Sequence, residues 1–251
     1  MATPAAPAGG ENPYGLMAAL EQGGTIAWAT FIILVIMSAA SWYIMFTKLF
    51  EQQKILNQAK RVRTSFWGTP SLRDGANKLE KNSAYRQLVD DGLRAQDEHT
   101  RLTDPIEAHD WLLGSLGRSQ AAINSKLSNG LAVLATVGST APFVGLFGTV
   151  IGIYRALIKI GAAGQASIDA VAGPVGEALI MTALGLAVAV PAVLGYNWLI
   201  RRNKVVAEQL SAFSTDLHGY MVSGGQVKPQ IAAARAATAA PAPKPVTTTK
   251  A

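Results

Sequence analysis

Three long apolar blocks constrain this chain more than any other feature. The first, residues 26–46, is 21 residues without a charge. As a helix it reaches about 30 Å, the thickness of a bilayer's hydrocarbon core. The second covers residues 131–158 and the third residues 170–200. A soluble core is not built this way, because its apolar residues recur at helical or strand spacing between polar ones. Lipid offers the backbone no hydrogen-bond partner, so each block is expected to be helical. The expected fold class is all-α. The chain reads as an integral membrane protein with three transmembrane helices, two of them extended into the cytoplasm as long helices, plus a helical cytoplasmic loop region.

Charge sets the expected topology. No Lys or Arg precedes the first block, 13 lie in residues 48–129, Arg155 and Lys159 flank the second turn, and seven follow the third block. Positive segments stay on the cytoplasmic side. The expected order is a periplasmic segment (1–25), a first span (26–47), a cytoplasmic helical domain (48–129), a second span (130–158), a periplasmic turn (159–169) and a third span (170–200). A cytoplasmic helix (201–223) and a disordered tail (224–251) rich in Ala, Pro and Thr complete it. Residues 1–25 lack the positive start of an ordinary signal peptide. Trp28, Trp42 and Tyr43 sit where interfacial aromatics belong. Arg155 and Lys159 are expected to snorkel to the outer interface.

The cytoplasmic part has helical spacing at Leu49, Leu56, Ala59 and Phe66. Asp104, Pro105 and Glu107 make a strong helix start, with N-cap, first-turn proline and capping box. The helix opened there is expected to run on into the second span as one rod of about 80 Å. Asp169 or Ser167 can cap the third span.

One acid interrupts the apolar blocks. In "GPVGEALIMTALGLAVAVPAVLGYN" (173–197) the only charge is Glu177. An ionised side chain at the bilayer centre costs roughly 2.5–3.5 kcal/mol on insertion scales. Glu177 is therefore either a carboxyl kept neutral by burial or a proton-binding group whose pKa desolvation raises. Counted from the outer turn, Thr149 lies about 15 Å deep and Glu177 about 12 Å, both near the midplane. Thr182 is deeper, about 20 Å, and turned about 140° from Glu177 on an ideal helix. A hydroxyl such as Thr149 can bond either state of a carboxyl. Gly138, Pro142, Gly145, Thr149, Gly152 and Ala156 recur at spacings of 4, 3, 4, 3 and 4, on one helix face. Small residues there allow close helix packing, or line a pore.

"APFVGLFGTVIGIY" (141–154) and "VAGPVGEALIMTALGLAVAVPAVLGYN" (171–197) resemble the signature spans of the MotA/TolQ/ExbB proton-channel family. The likeness covers roughly residues 20–220 and is greatest to its ExbB members, with TolQ the near rival. MotA-type members, with four spans, fit less well. The resemblance implies a homo-oligomer, a ring of five subunits in the bacterial inner membrane, around the single helices of an ExbD-type partner, with TonB alongside. It implies that Thr149, Glu177 and Thr182 match the channel-lining positions of the proton pathway. An aspartate of the partner would cycle with the proton, and TonB would deliver the motion to outer-membrane receptors for iron chelates or cobalamin. Ile151 departs from the family, many members of which carry Trp there. The remaining alternatives are a TolQ-like subunit of an envelope-maintenance system and a non-conducting scaffold.

Other classes have little support. No nucleotide, zinc-protease or nucleophile-elbow motif occurs, so an enzyme is not expected. No cofactor and no metal are expected: cysteine is absent, and His99, His109 and His218 read as isolated surface or packing residues. The net charge of +6 comes without a basic, aromatic-interleaved stripe. Membrane lipids rather than nucleic acid are the expected neighbours.

Overall fold

A computed structural model of the chain describes residues 16–103, 107–163 and 168–229. These residues form helices and turns, with no strand among them. The helices are α1 (Leu16–Arg61), α2 (Leu72–Lys78), α3 (Ala84–His99), α4 (Ala108–Ser128), α5 (Leu131–Ala163) and α6 (Ile168–Val222), and a π-helical turn (Val62–Phe66) follows α1. Three stretches are long and apolar enough to cross a membrane: Gly23–Arg61, Ala108–Ala162 and Ala178–Val222.

Two helices run far past their apolar stretches, α1 with 46 residues and α6 with 55. The rod expected from Pro105 through the second span does not form. It breaks at Asn129–Gly130, where Gly130 takes φ +84, a value that residues with a Cβ rarely adopt. The expected start at Asp104 and Pro105 lies outside the described residues, as does the Ser167 cap. Asp169 falls inside α6 rather than before it. α1 also starts earlier than expected and bends at Gly24 (φ 57, ψ −151).

The remaining helix ends follow local chemistry. Ser71 caps α2 by accepting from the Asp74 amide, and Ser83 caps α3 by accepting from the Arg86 amide. α6 stops at Gly224 and Gly225, both at positive φ. There the Gly225 amide reaches back to the Tyr220 carbonyl at 2.8 Å, closing a Schellman-type end.

The chain divides into two compact units. The first comprises Met1–Phe50 and Ser128–Arg202. Its interior is built from Leu34, Leu134, Ala141, Ala192 and Leu199. Its outward surface is also apolar, with Ile36, Phe143, Val150, Leu179 and Leu194 all more than half exposed. An apolar surface around an apolar core suits a membrane segment, where lipid or a neighbouring subunit covers the outer face.

The second unit comprises Glu51–Leu127 and Asn203–Ala251. Phe213 anchors its core, edge-on to Phe66 at 5.4 Å and to Tyr85 at 5.2 Å. Each such aromatic pair adds about 0.5–1.5 kcal/mol beyond area burial. A polar relay crosses this core. Gln52, fully buried, donates to Asn203 at 2.7 Å, and Asn203 donates to the Leu127 carbonyl at 3.1 Å. Leu127 lies in the last turn of α4, whose carbonyls have no partner within the helix. Asn203 thus supplies a cap from α6.

Glu80 ties α1 to the stretch between α2 and α3. Its carboxylate accepts from Lys54 at 3.0 Å and from Gln58 at 2.9 Å, with Arg61 at 3.7 Å. The hydrogen bonds from Lys54 and Gln58 hold its pKa below the usual 4.5. A depressed folded pKa means that the stabilisation is complete above the unfolded value and fades as pH falls through the folded one. The group is exposed, so solvent screens the effect. Glu80→Gln should flatten the fall in thermal midpoint as the pH drops below 4.5, read by circular dichroism across the pH series. An unchanged acid limb would show that Glu80 contributes nothing measurable there.

Candidate proton site between α5 and α6

Small residues bring α5 and α6 into backbone contact. A Cβ at Gly145 would lie 2.6 Å from the Met181 carbonyl oxygen and 3.1 Å from Gly185 Cα. A Cβ at Gly185 would lie 2.8 Å from the Ala141 carbonyl oxygen. Gly138 backs onto Val193, and Gly148 onto Met181 and Thr30. Within the stripe seen in the sequence, Gly138 and Gly145 pack on α6; Gly152 and Ala156 are buried as well, and Pro142 and Thr149 are half-buried. Pro142 has no amide hydrogen, so the Gly138 carbonyl receives no bond from it within the helix.

One turn beyond the Gly145–Gly185 contact, two hydroxyls meet. Thr149 Oγ1 and Thr182 Oγ1 are hydrogen-bonded to each other. Thr149 Oγ1 also lies 2.9 Å from the Ala178 carbonyl oxygen and 3.2 Å from the Gly145 carbonyl oxygen. A hydroxyl has one proton and two lone pairs. If Thr149 donates to Ala178, its oxygen remains free to accept from Thr182, which gives a directed chain from Thr182 through Thr149 to the α6 backbone. If Thr149 donates to Gly145, the chain ends on its own helix. A relay requires the reverse direction as well, with Thr149 donating to Thr182, and the bond between the two hydroxyls allows either atom to be the donor.

Glu177 belongs to α6 and precedes Ala178, the residue whose carbonyl Thr149 meets. The Glu177 side chain lies outside the described residues. The pairing is antiparallel, from Gly138 opposite Val193 to Gly148 opposite Met181. Continued by one turn, it brings Gly152 level with Glu177. Thr149 and Thr182 are thus placed together. The link to Glu177 runs through sequence adjacency at Ala178.

The Arg155 guanidinium donates to the Gly23 carbonyl, just before the first apolar block. One expectation is corrected. His109 and His218 are not isolated: their rings stand edge to face at 4.6 Å, and His218 Nε2 lies 3.4 Å from the His109 carbonyl. Thr182 is the residue whose partner sequence reasoning missed. The signal was the pair Gly145 and Gly185, which sets the register between the helices.

Residues 80–212 match the MotA/TolQ/ExbB proton channel family. Over 249 residues the chain is 41% identical to "Biopolymer transport protein ExbB" of Xanthomonas campestris pv. campestris (strain B100), covering 89% of this chain and 97% of that protein. It is 37% identical over 204 residues to "Biopolymer transport protein ExbB" of Neisseria gonorrhoeae, covering 79% and 93%. It is 33% identical over 204 residues to "Tol-Pal system protein TolQ" of Haemophilus influenzae (strain ATCC 51907 / DSM 11121 / KW20 / Rd), covering 74% and 86%. With the signature spans packed as α5 on α6 and the match running over more than half its length, the chain belongs to the MotA/TolQ/ExbB proton channel family.

Proposed function

We propose that this protein is an ExbB-type subunit of an inner-membrane proton channel that uses the proton motive force to energise TonB-dependent uptake of iron chelates or cobalamin across the outer membrane. The observation that carries this reading is the Thr149–Thr182 hydroxyl pair seated on the Ala178 carbonyl, next in sequence to the only acid of the apolar run 173–197. The membrane potential supplies about 2.3 kcal/mol per elementary charge per 100 mV, enough to bias a conformational step with each proton. A midplane carboxyl can take and release that proton. Thr149, Glu177 and Thr182 form the pathway in this reading, and Gly138, Pro142, Gly145, Gly152 and Ala156 hold the helices around it. The ExbB reading draws support from 41% and 37% identity to proteins of that name, against 33% to TolQ.

The subunit acts in a homo-oligomer, a ring of five, enclosing the single helices of an ExbD-type partner, with TonB beside it. The exposed apolar faces of α5 and α6 have to be covered, and a second subunit or lipid does so. The test is affinity purification from native membranes in mild detergent. The expected companions are a short single-span protein with a membrane aspartate and a TonB-like protein. A TolA-like companion would instead assign the chain to the envelope-maintenance system. Recovery of the chain alone, with uptake retained in its absence, would refute the motor reading.

The orientation follows the Lys and Arg asymmetry, with the N-terminus periplasmic and the C-terminus cytoplasmic. Met17 is 63% exposed in α1, and Asp97 is exposed in α3. In intact spheroplasts, an impermeant maleimide should label Met17→Cys and leave Asp97→Cys unlabelled until the membrane is opened. Labelling of Asp97→Cys in sealed spheroplasts would reverse the topology.

A further inference from the structure

The bend at Gly24 divides α1 into a short helix, residues 16–23, and the long apolar stretch beyond. The backbone there, φ 57 and ψ −151, is close to a region that essentially only glycine occupies. A helix that ends at such a bend leaves its last carbonyls without partners inside the helix. One of them, that of Gly23, accepts from the guanidinium of Arg155, six residues beyond Thr149 on α5. A cation at a helix C-terminus is also favoured by the helix dipole. On either side of the bend, Leu20 is 2% exposed and Ala27 3%, and they cluster with Met181, which is fully buried. Met181 precedes Thr182 and backs onto Gly148, beside Thr149. Leu20 therefore shares a small core with the residue that adjoins the hydroxyl pair.

We propose that Arg155 is a positioning residue: it clasps the short helix 16–23 through the Gly23 carbonyl, so that Leu20 stays in the core it shares with Ala27 and Met181 and closes the approach to Thr149 and Thr182 from the Ala163–Ile168 end of the helix pair. The sealing half of this proposal rests on the proton-channel reading, and the clasp does not. Arginine suits the role because its guanidinium presents five donors in a fixed fork. Glycine at 24 suits it because the bend takes φ 57 and ψ −151, a backbone that residues with a Cβ rarely adopt.

The chain has no cysteine, so single thiols can be placed without background. In the full-chain complex with its single-span partner, Leu20→Cys should react with a maleimide about tenfold more slowly than Met17→Cys, because a buried thiol reacts only through local opening. Arg155→Gln should bring the Leu20→Cys rate close to that of Met17→Cys, and Arg155→Lys should lie between. Gly24→Ala, which leaves α5 untouched, should have the same effect through the backbone, and so separates loss of the clasp from misfolding of α5. In sealed vesicles, Arg155→Gln and Gly24→Ala should raise passive proton leak several-fold while the mass of the complex is unchanged. An unchanged Leu20→Cys rate in both variants overturns the clasp. Faster labelling without added leak overturns the sealing role. A parent complex that neither leaks nor drives uptake condemns the proton-channel reading instead, and leaves the labelling result to decide the clasp.

Discussion

Glu177→Gln is expected to abolish energised uptake while leaving membrane insertion and assembly intact. Gln has nearly the same shape and keeps hydrogen-bonding capacity, but it cannot bind and release a proton. Glu177→Asp keeps the acid and shortens its reach by one methylene, so it should retain part of the activity. The ordering discriminates between the two roles open to this residue. A carboxyl that is merely neutral and packed would tolerate Gln, its nearest neutral analogue, and suffer more from Asp, which leaves a void of about one methylene, worth roughly 1 kcal/mol. A proton site gives the reverse order. The assay is receptor-dependent uptake, with recovery of the single-span partner as the assembly control. Wild-type uptake by Glu177→Gln would end the proton-site reading. Thr149→Val provides an intermediate test, since it removes the hydroxyl at nearly constant volume and deprives both Thr182 and the Ala178 carbonyl of their partner. It should slow uptake without stopping it, because a carboxyl retains other routes to water.

The apolar spans were legible because hydropathy over about 20 residues is a strong signal in any context. The break at Gly130 was also written in the chain, as Asn129 followed by Gly130, a turn dipeptide. Apolar continuity through α5 masked it: the next 28 residues look like uninterrupted helix, and the capping box at Asp104 suggested one start for all of it. The bend at Gly24 was hidden for a different reason. Gly23 and Gly24 stand side by side, and which of two glycines takes φ near +57 depends on what lies against it, here the guanidinium of Arg155. Contacts of that kind link residues more than 130 positions apart and have no local signature.

Thr182 illustrates the limit of reading one helix at a time. Measured against Glu177 on an ideal helix, Thr182 is turned about 140° away. Its relevance comes from the other helix, where Thr149 stands opposite. Pairing the small residues of the two spans would have found it, because Gly145 and Gly185 can only be this close in one register. The histidine pair escaped for the same reason, with His109 on α4 and His218 on α6. What periodicity conveys is the face of a helix; which face meets which is decided by close packing between helices.

Gly145→Ala should therefore be nearly as damaging as loss of the acid, although it adds only one methyl group. The new Cβ would lie 2.6 Å from the Met181 carbonyl oxygen and 3.1 Å from Gly185 Cα. Backbone atoms on a helix cannot swing aside as a long side chain can, so α5 and α6 must separate. Overpacking of this sort costs about 1–3 kcal/mol, and occasionally more. In lipid the loss is not recovered by hydrophobic contact elsewhere, since packing and hydrogen bonding are what hold these helices together. Separation by even a few tenths of an ångström acts one turn away, on the bonds from Thr149 to Thr182 and Ala178, whose strength falls as they stretch. Gly145→Ala is expected to lower both the thermal midpoint of the complex and uptake, and Gly145→Leu to prevent assembly. Gly161→Ala is the control, because nothing lies within 4 Å of a Cβ at that position. It should match the parent, or improve on it slightly, since alanine favours helix by up to about 1 kcal/mol over glycine. Equal behaviour of Gly145→Ala and Gly161→Ala would show that the Gly145–Gly185 contact does not set the helix spacing, and the hydroxyl pair would lose the packing that holds it in place.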